Sequence, residues 1–284
     1  EAFGRAFWGA HTLGISILGT KDSMNAITRD QIYRYYKNHY RPENIVAAAA
    51  GNVKHDDFVA LVKKNLDRDD FLIGETKPFI RDFSAFIPDS AKRVELHSGD
   101  FEQTNLYLGL PGVGRNDPRT MALRVLVIGI SGGMSSRMFQ EIREKRGLVY
   151  TVDGFMRRYV GAGYYAIYAG CSPEKTGEVV KLIREILQDV AANGITKEEF
   201  ERGHNAVRAN ILLAGEDSGH RMDRIGSTEI WDGAAKTAED LMHELSQVTI
   251  DEVNKLAAEF LTKPLTLGLA GPKGDAAEFE ELLG

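Results

Sequence analysis

Two stretches of the chain repeat the same helix–proline–strand pattern, and this repeat constrains the fold more than any other feature. Residues 27–52 read ITRDQIYRYYKNHYRPENIVAAAAGN, and residues 248–272 read VTIDEVNKLAAEFLTKPLTLGLAGP. Each begins with the Thr-x-x-Gln/Glu pattern of a helix capping box and continues with apolar residues at helical spacing. Each then passes through a proline into a short apolar strand that ends at a glycine. We interpret them as one structural unit used twice.

The repeat predicts two homologous domains, of which the first is truncated. A long series of strands and helices precedes the second stretch, whereas only 26 residues precede the first. We therefore expect residues 1–66 to be the C-terminal remnant of a first domain and residues 93–284 to be a complete second domain. Residues 67–92 contain two prolines and no sustained period, which is typical of an interdomain linker. The alternative is a chance recurrence within a single chain.

The second domain is predicted to have an α+β fold. Residues 92–99 and 103–112 alternate apolar and polar side chains, as strands half-buried on one sheet face do. Residues 148–160 and 161–170 resemble a hairpin of antiparallel strands, and the remaining segments carry helical periodicity. Strand pairs separated from blocks of helix favour a mainly antiparallel sheet with helices packed on one face.

Composition excludes several function classes. The chain has a net charge of −6 and no block of Lys or Arg, which argues against nucleic-acid binding. No apolar stretch is long enough to span a membrane. With 43% apolar and 27% charged residues, the composition is that of a soluble globular protein. We expect the protein to be located in the bacterial cytoplasm or periplasm, and the sequence does not decide between the two.

The residue patterns predict no metal site and no catalytic residue within the chain. None of the seven histidines forms an HxxEH, HExxH or HxH motif. Glu201 and His204 have the ExxH spacing of a carboxylate-bridged site, but such pairs are common solvated neighbours on amphipathic helices. Cys171 is the only cysteine and is interpreted as structural, with a reactive thiol as the alternative.

A glycine-rich turn, GISGGMSS at residues 129–136, opens a helix. It lacks the Lys-Ser/Thr ending of a phosphate-binding loop and follows a helix rather than a strand. The turn is better explained by conformation: Gly132 and Gly133 permit positive φ, and Ser135 or Ser136 caps the next helix. The alternative interpretation is that a peptide ligand approaches this backbone closely.

The segment QEIREKRGLVYTV, residues 140–152, ends that helix and starts a strand. Lys145 and Arg146 complement the dipole at the helix C-terminus, and Gly147 is suited to a left-handed cap. A simple helix stop therefore explains every feature of the segment except Arg143 and Tyr150.

The segment GGMSSRMFQEIREKRGLVYTV, together with LGISILGT, HYRPENIVAAAAGN and VTIDEVNKLAAEFL, resembles the pitrilysin/insulinase family of zinc peptidases, in the branch similar to mitochondrial processing peptidase. The resemblance covers nearly the whole chain in order. It implies two homologous α+β domains that face each other across a closed chamber. It also implies an HxxEH motif and a more distant Glu as zinc ligands, residues that by family order lie upstream of Glu1.

The resemblance implies that Arg143 and Tyr150 bind substrate across the chamber, with Gly132, Gly133 and Ser135 beside them. It predicts the C-terminal part of a zinc metalloendopeptidase, inactive on its own, or alternatively a non-catalytic, peptide-binding subunit of the same family. Zinc would be held upstream, and none is expected on this chain alone. The implied partners are a peptide or unfolded protein substrate and the missing N-terminal half or a partner subunit, with a dimer as a further possibility.

Overall fold

The computed structural model describes residues 1–67, 71, 93–272 and 274–284. The predicted linker, residues 67–92, falls almost wholly outside them. The strands are β1 (Val94–Ser98), β2 (Thr104–Pro111), β3 (Thr151–Arg158), β4 (Gly163–Cys171) and β5 (Thr266–Gly271). The helices are α1 (Ala2–Trp8), α2 (Lys21–Ala26), α3 (Arg29–His39), α4 (His55–Leu66), α5 (Thr120–Ser131), α6 (Thr176–Asn193), α7 (Lys197–Glu216), α8 (Ser218–Asp232), α9 (Ala238–Ser246), α10 (Ile250–Phe260) and α11 (Ala276–Leu283).

The described residues form two compact units. The first comprises Glu1–Ile17, the described residues up to Arg208 that follow the predicted linker, and Glu244–Gly284. It holds all five strands in the order β1-β5-β2-β4-β3. Only the β1–β5 pair is parallel, so the α+β expectation of a mainly antiparallel sheet is confirmed.

Alternation along β2 separates the two faces of this sheet. Leu106, Leu108 and Leu110 are buried on one face. The opposite face carries α1, whose Phe3 lies against Gly109 and Gly268. A Cβ at Gly268 would lie 2.1 Å from the Phe3 nitrogen, so only glycine permits this approach.

The second unit contains α2, α3, α4 and α8 together with the end of α7 and the start of α9. Its capping box is confirmed: Thr28 Oγ1 accepts from Gln31 N, and the Gln31 side chain accepts from Thr28 N. In the matching stretch of the first unit, Thr249 Oγ1 accepts from Glu252 N. The sequence therefore predicted correctly where both repeated helices begin.

The prediction of a strand in the first copy of the repeat was wrong. Residues 45–50 form no strand, whereas β5 in the second copy does. A strand needs a neighbour to take its backbone hydrogen bonds, and residues 45–50 pair with no strand in the described part of the chain. Correspondingly, Ile32 of α3 is 60% exposed, while its counterpart Val253 in α10 is fully buried.

Candidate functional site

The glycine-rich turn is held against the sheet by Ser131, the last residue of α5. Ser131 Oγ donates to Val127 O at 2.6 Å and accepts from the Tyr165 hydroxyl at 3.1 Å. Gly154 of β3 lies directly beneath it, where a Cβ would come within 1.9 Å of Ser131 Oγ. The close approach requires glycine in β3, and it fixes where the turn leaves α5.

The turn itself is exposed. Gly133 has φ of 74°, and a Cβ added to it would meet no atom within 4 Å, so its backbone is open to solvent. The cap of the next helix falls on Ser136, whose Oγ accepts from Phe139 N at 3.3 Å. Ser135 is exposed in the turn, and Gly132 is half-buried. The positive φ predicted for the glycines is therefore present at Gly133 but not at Gly132, whose φ is −90°. Glycine is required at Gly132 by close packing instead, because a Cβ there would lie 2.9 Å from Ile128 O.

The helix that follows contains a π-helical turn at Phe139–Glu144. Lys145 N donates to Gln140 O, five residues earlier, at 3.0 Å. Met138 and Ile142 are fully buried and anchor one side of this helix. Widened turns of this kind occur frequently at functional sites, and this one contains Arg143.

Three neighbouring cations at the helix end, Arg143, Lys145 and Arg146, differ in what they contact. Lys145 Nζ and Arg146 Nη1 both pair with Glu141, at 2.5 and 2.7 Å, and together they hold the pKa of its carboxyl below the usual value. Arg143 makes no ion pair within the described residues, and its guanidinium carbon lies 4.8 Å from the centre of the Phe139 ring. Pairing with Glu141 within the helix therefore accounts for Lys145 and Arg146 but not for Arg143.

Tyr150 lies next to this helix end. Gly147, with φ of 60°, ends the helix by donating to Arg143 O at 2.9 Å, and Leu148 N donates to Ile142 O at 3.0 Å. Tyr150 N then donates to Gly170 O at 2.8 Å, immediately before β3 begins. The Tyr150 side chain is 59% exposed. The chain thus presents a guanidinium and a phenol on either side of one glycine.

The helix start is tied to α7 by a pair that the sequence did not reveal. Arg137 donates from Nε and Nη2 to the two carboxylate oxygens of Glu199, at 2.7 and 2.5 Å. Burial disfavours the charged form of Glu199, but bonds from Arg137 and Thr196 N keep its pKa below the usual value. Thr196 and Glu199 also form a capping box at the start of α7. No sequence pattern links residues 62 positions apart.

The other candidates do not form sites. No group of three His, Cys, Asp or Glu residues that could hold a metal ion occurs in the part of the chain that the structure describes. His204 contacts Leu245 O through Nε2 at 3.2 Å. Cys171 is fully buried, and burial raises the pKa of its thiol, which suits a structural residue. No described helix is both long and apolar enough to cross a membrane.

Comparison with known proteins identifies the family of this α+β fold. Residues 26–207 match the family model described as the peptidase M16 inactive domain, and the chain belongs to this family, the pitrilysin/insulinase peptidases. An uncharacterized zinc protease of Streptomyces coelicolor is 37% identical over 97% of this chain, and one of Bacillus subtilis is 30% identical over 97%. The chain spans only 60% and 65% of these two proteins.

Solved structures share the fold. A peptidase M16 inactive domain from Pseudomonas fluorescens matches with a TM-score of 0.79 and 21% identity, over 95% of this chain and 64% of that one. A chain of complex III2 from Candida albicans matches with the same TM-score and 14% identity, over 100% and 67% of the two chains. At these identities the likeness concerns the fold. The family resemblance and the fold class are confirmed.

Proposed function

We propose that this chain is the C-terminal part of a zinc-dependent metalloendopeptidase that cleaves peptides in an enclosed chamber between two homologous domains. In this proposal, residues 1–66 belong to the metal-bearing first domain, 67–92 to the linker and 93–284 to the second domain. The compact units divide the chain differently, since Glu1–Ile17 lie in the unit that holds the sheet and Ala209–His243 lie in the other. The relatives named zinc proteases support the reaction class, since the chain matches about three fifths of their length. The described residues offer no metal cluster, so the zinc ligands and the general base would come from outside this chain.

The observation that carries the substrate-binding role is the state of Arg143. Two of the three cations at the helix end are neutralised by Glu141, while Arg143 has no carboxylate partner among the described residues. A surface guanidinium that rests on an aromatic ring keeps its donors directed outward. It is therefore available to an incoming acceptor.

Arg143 and Tyr150 would act on a peptide by hydrogen bonding. The guanidinium offers several N–H donors in a fixed plane, and the Tyr150 hydroxyl offers one more. Donors aimed at the carbonyl of the scissile peptide bind it and stabilise the negative charge that develops on its oxygen. Their contribution is positioning and electrostatic stabilisation. The water-activating chemistry lies elsewhere.

The exposed turn would supply the backbone side of the same site. Gly133 has no neighbour that a peptide would have to displace, and Ser135 is exposed beside it. Gly132 and Gly133 lack side chains, so an extended peptide could approach their backbone closely. The proposed partners are thus a peptide or unfolded protein substrate, and an N-terminal half or separate subunit that holds zinc.

A second candidate is a non-catalytic, peptide-binding subunit of the same family. It is favoured by the description of the matching family model as an inactive domain and by the similarity to a chain of complex III2. The residues upstream of Glu1 discriminate between the two. An intact HxxEH with a downstream Glu, together with peptide hydrolysis that a chelator abolishes, supports the peptidase. Their absence, with peptide binding retained, supports the subunit.

A further inference from the structure

The position of Arg143 depends on how its helix is held, because the turn before it provides little support. Gly133 has no neighbouring atom near its side-chain position, and Met134 is 72% exposed. Buried Met138, Phe139 and Ile142 hold the helix by apolar contact. An apolar contact restricts the distance of a helix from its support better than its rotation, since it has no directional bond.

Arg137 makes the ion pairs that tie the start of this helix to α6 and α7. Its side chain is 17% exposed and that of Glu199 is 10% exposed, so water screens this pair little. Nε and Nη2 bond both oxygens of Glu199, and Nη1 bonds Asp189 of α6 at 2.6 Å. A planar guanidinium held at three nitrogens permits little rotation.

The preceding helix is fixed to the same part of α7. Arg202 Nη2 donates to Gly129 O at 2.7 Å. A Cβ at Gly129 would lie 2.9 Å from Glu199 O, and one at Gly203 would lie 2.5 Å from Val125 O, so α5 and α7 cross almost backbone to backbone. Both sides of the glycine turn are therefore anchored on the first two turns of α7.

We propose that Arg137 and Glu199 are positioning residues for substrate binding: their two-bond pair sets the orientation of the helix that presents Arg143 to the peptide. This inference rests on the proposed function, since it acts through Arg143. It adds two residues that contact no substrate themselves.

The test is a double-mutant cycle in the longer protein, with kcat/KM and peptide Kd measured in parallel. Arg137→Lys keeps the charge but cannot make two parallel bonds to one carboxylate. Because small misplacements of catalytic geometry are costly, we expect a loss of roughly tenfold or more in kcat/KM, or in affinity if the protein binds without cleaving. In an Arg143→Ala background, Arg137→Lys should cause no further loss, since there is no guanidinium left to position.

Arg119→Lys is the matched control. Arg119 also donates from Nε and Nη2 to one carboxylate, Asp117, at 3.0 and 2.8 Å, and from Nη1 to Glu259 at 2.8 Å, but at the opposite end of α5. We expect Arg119→Lys to leave kcat/KM and Kd unchanged, and to lower the unfolding temperature less than Arg137→Lys because its pair with Asp117 is more exposed.

The outcomes separate this inference from the proposed function. If Arg143→Ala lowers activity or affinity and Arg137→Lys does not, the positioning role is wrong and the substrate-binding role stands. The positioning role is also wrong if Arg137→Lys costs the same factor with and without Arg143. If Arg143→Ala itself changes nothing, both proposals fail.

Discussion

The guanidinium of Arg143 lies 4.8 Å from the ring centre of Phe139, four residues earlier in the π-helical turn. Phe139 is 8% exposed, so its ring is a fixed platform. The neighbouring Glu141 is occupied by Lys145 and Arg146. The helix therefore neutralises two of its cations and holds the third on an aromatic face.

Replacing the platform should loosen Arg143. Phe139→Leu keeps an apolar side chain but removes the ring, at a cost of about 0.5–1 kcal/mol for the lost cation–π contact. We expect peptide affinity to fall roughly two- to fivefold, since 1.4 kcal/mol corresponds to a factor of ten. Phe155→Leu, which removes a ring under Arg157 at 5.7 Å, is the control and should leave affinity unchanged. Equal losses in both variants would contradict a specific role for Phe139.

Gly154 should tolerate no side chain. A Cβ there would lie 1.9 Å from Ser131 Oγ, so Gly154→Ala must displace either the end of α5 or the edge of the sheet. We expect destabilisation of roughly 1–3 kcal/mol, read as a lower midpoint of thermal unfolding. Gly215→Ala is the control, because Gly215 lies in α7 with nothing within 4 Å of its Cβ position, and alanine is favoured in a helix. A Gly154→Ala protein as stable as the control would show that the turn is not held in this way.

The pair between Arg137 and Glu199 should appear in the pH dependence of stability. The pKa of Glu199 is lowered in the folded state, so its contribution is present above the unfolded pKa of about 4.3 and is lost as the pH falls through the folded value. Glu199→Gln should therefore lower the free energy of unfolding at pH 7, by roughly 3 kcal/mol or less, and the deficit should shrink on acidification below pH 4.

Glu201→Gln provides the comparison for this measurement. Glu201 is in the same helix with a 56% exposed side chain, 3.7 Å from Lys197, and its substitution should stay within about 0.5 kcal/mol at all pH values. A deficit in Glu199→Gln that does not change with pH would mean that the charge of Glu199 is not what stabilises the fold.

Local features of the fold could be predicted from the sequence, whereas the pairing of residues far apart in the chain mostly could not. Capping boxes, the glycine helix stop and the alternation in β2 all follow from near neighbours along the chain, and the structure confirms them. The parallel pairing of Val94 with Leu267 joins segments 173 residues apart and has no local signature. The strand predicted at residues 45–50 was wrong for the same reason: its pattern is local, but a strand exists only with a partner.

The candidate site shows the same division. The spacing of Phe139 and Arg143 by four residues could have indicated their contact from sequence. The Arg137–Glu199 pair could not be inferred, because Glu199 already had a complete local explanation as part of a capping box. The fold brings α7 beside the short helix that starts at Arg137, and only this placement reveals the pair.

The metal should be absent from this chain in isolation. We expect less than about a tenth of a zinc ion per chain by elemental analysis after purification and dialysis, because no described group of residues supplies three ligands. The longer protein, prepared in the same way, should contain one bound zinc ion per chain. One tightly bound zinc on the 284-residue chain would contradict the proposed division of labour.

The most direct measurement is kcat/KM of the longer protein for an unstructured peptide, with Arg143→Ala and Tyr150→Phe compared with the unaltered protein. If both side chains hold the scissile carbonyl, Arg143→Ala should lower kcat/KM by roughly a hundredfold, with a smaller loss for Tyr150→Phe and unchanged unfolding temperatures. Values of kcat/KM equal to that of the unaltered protein in both variants would contradict the account.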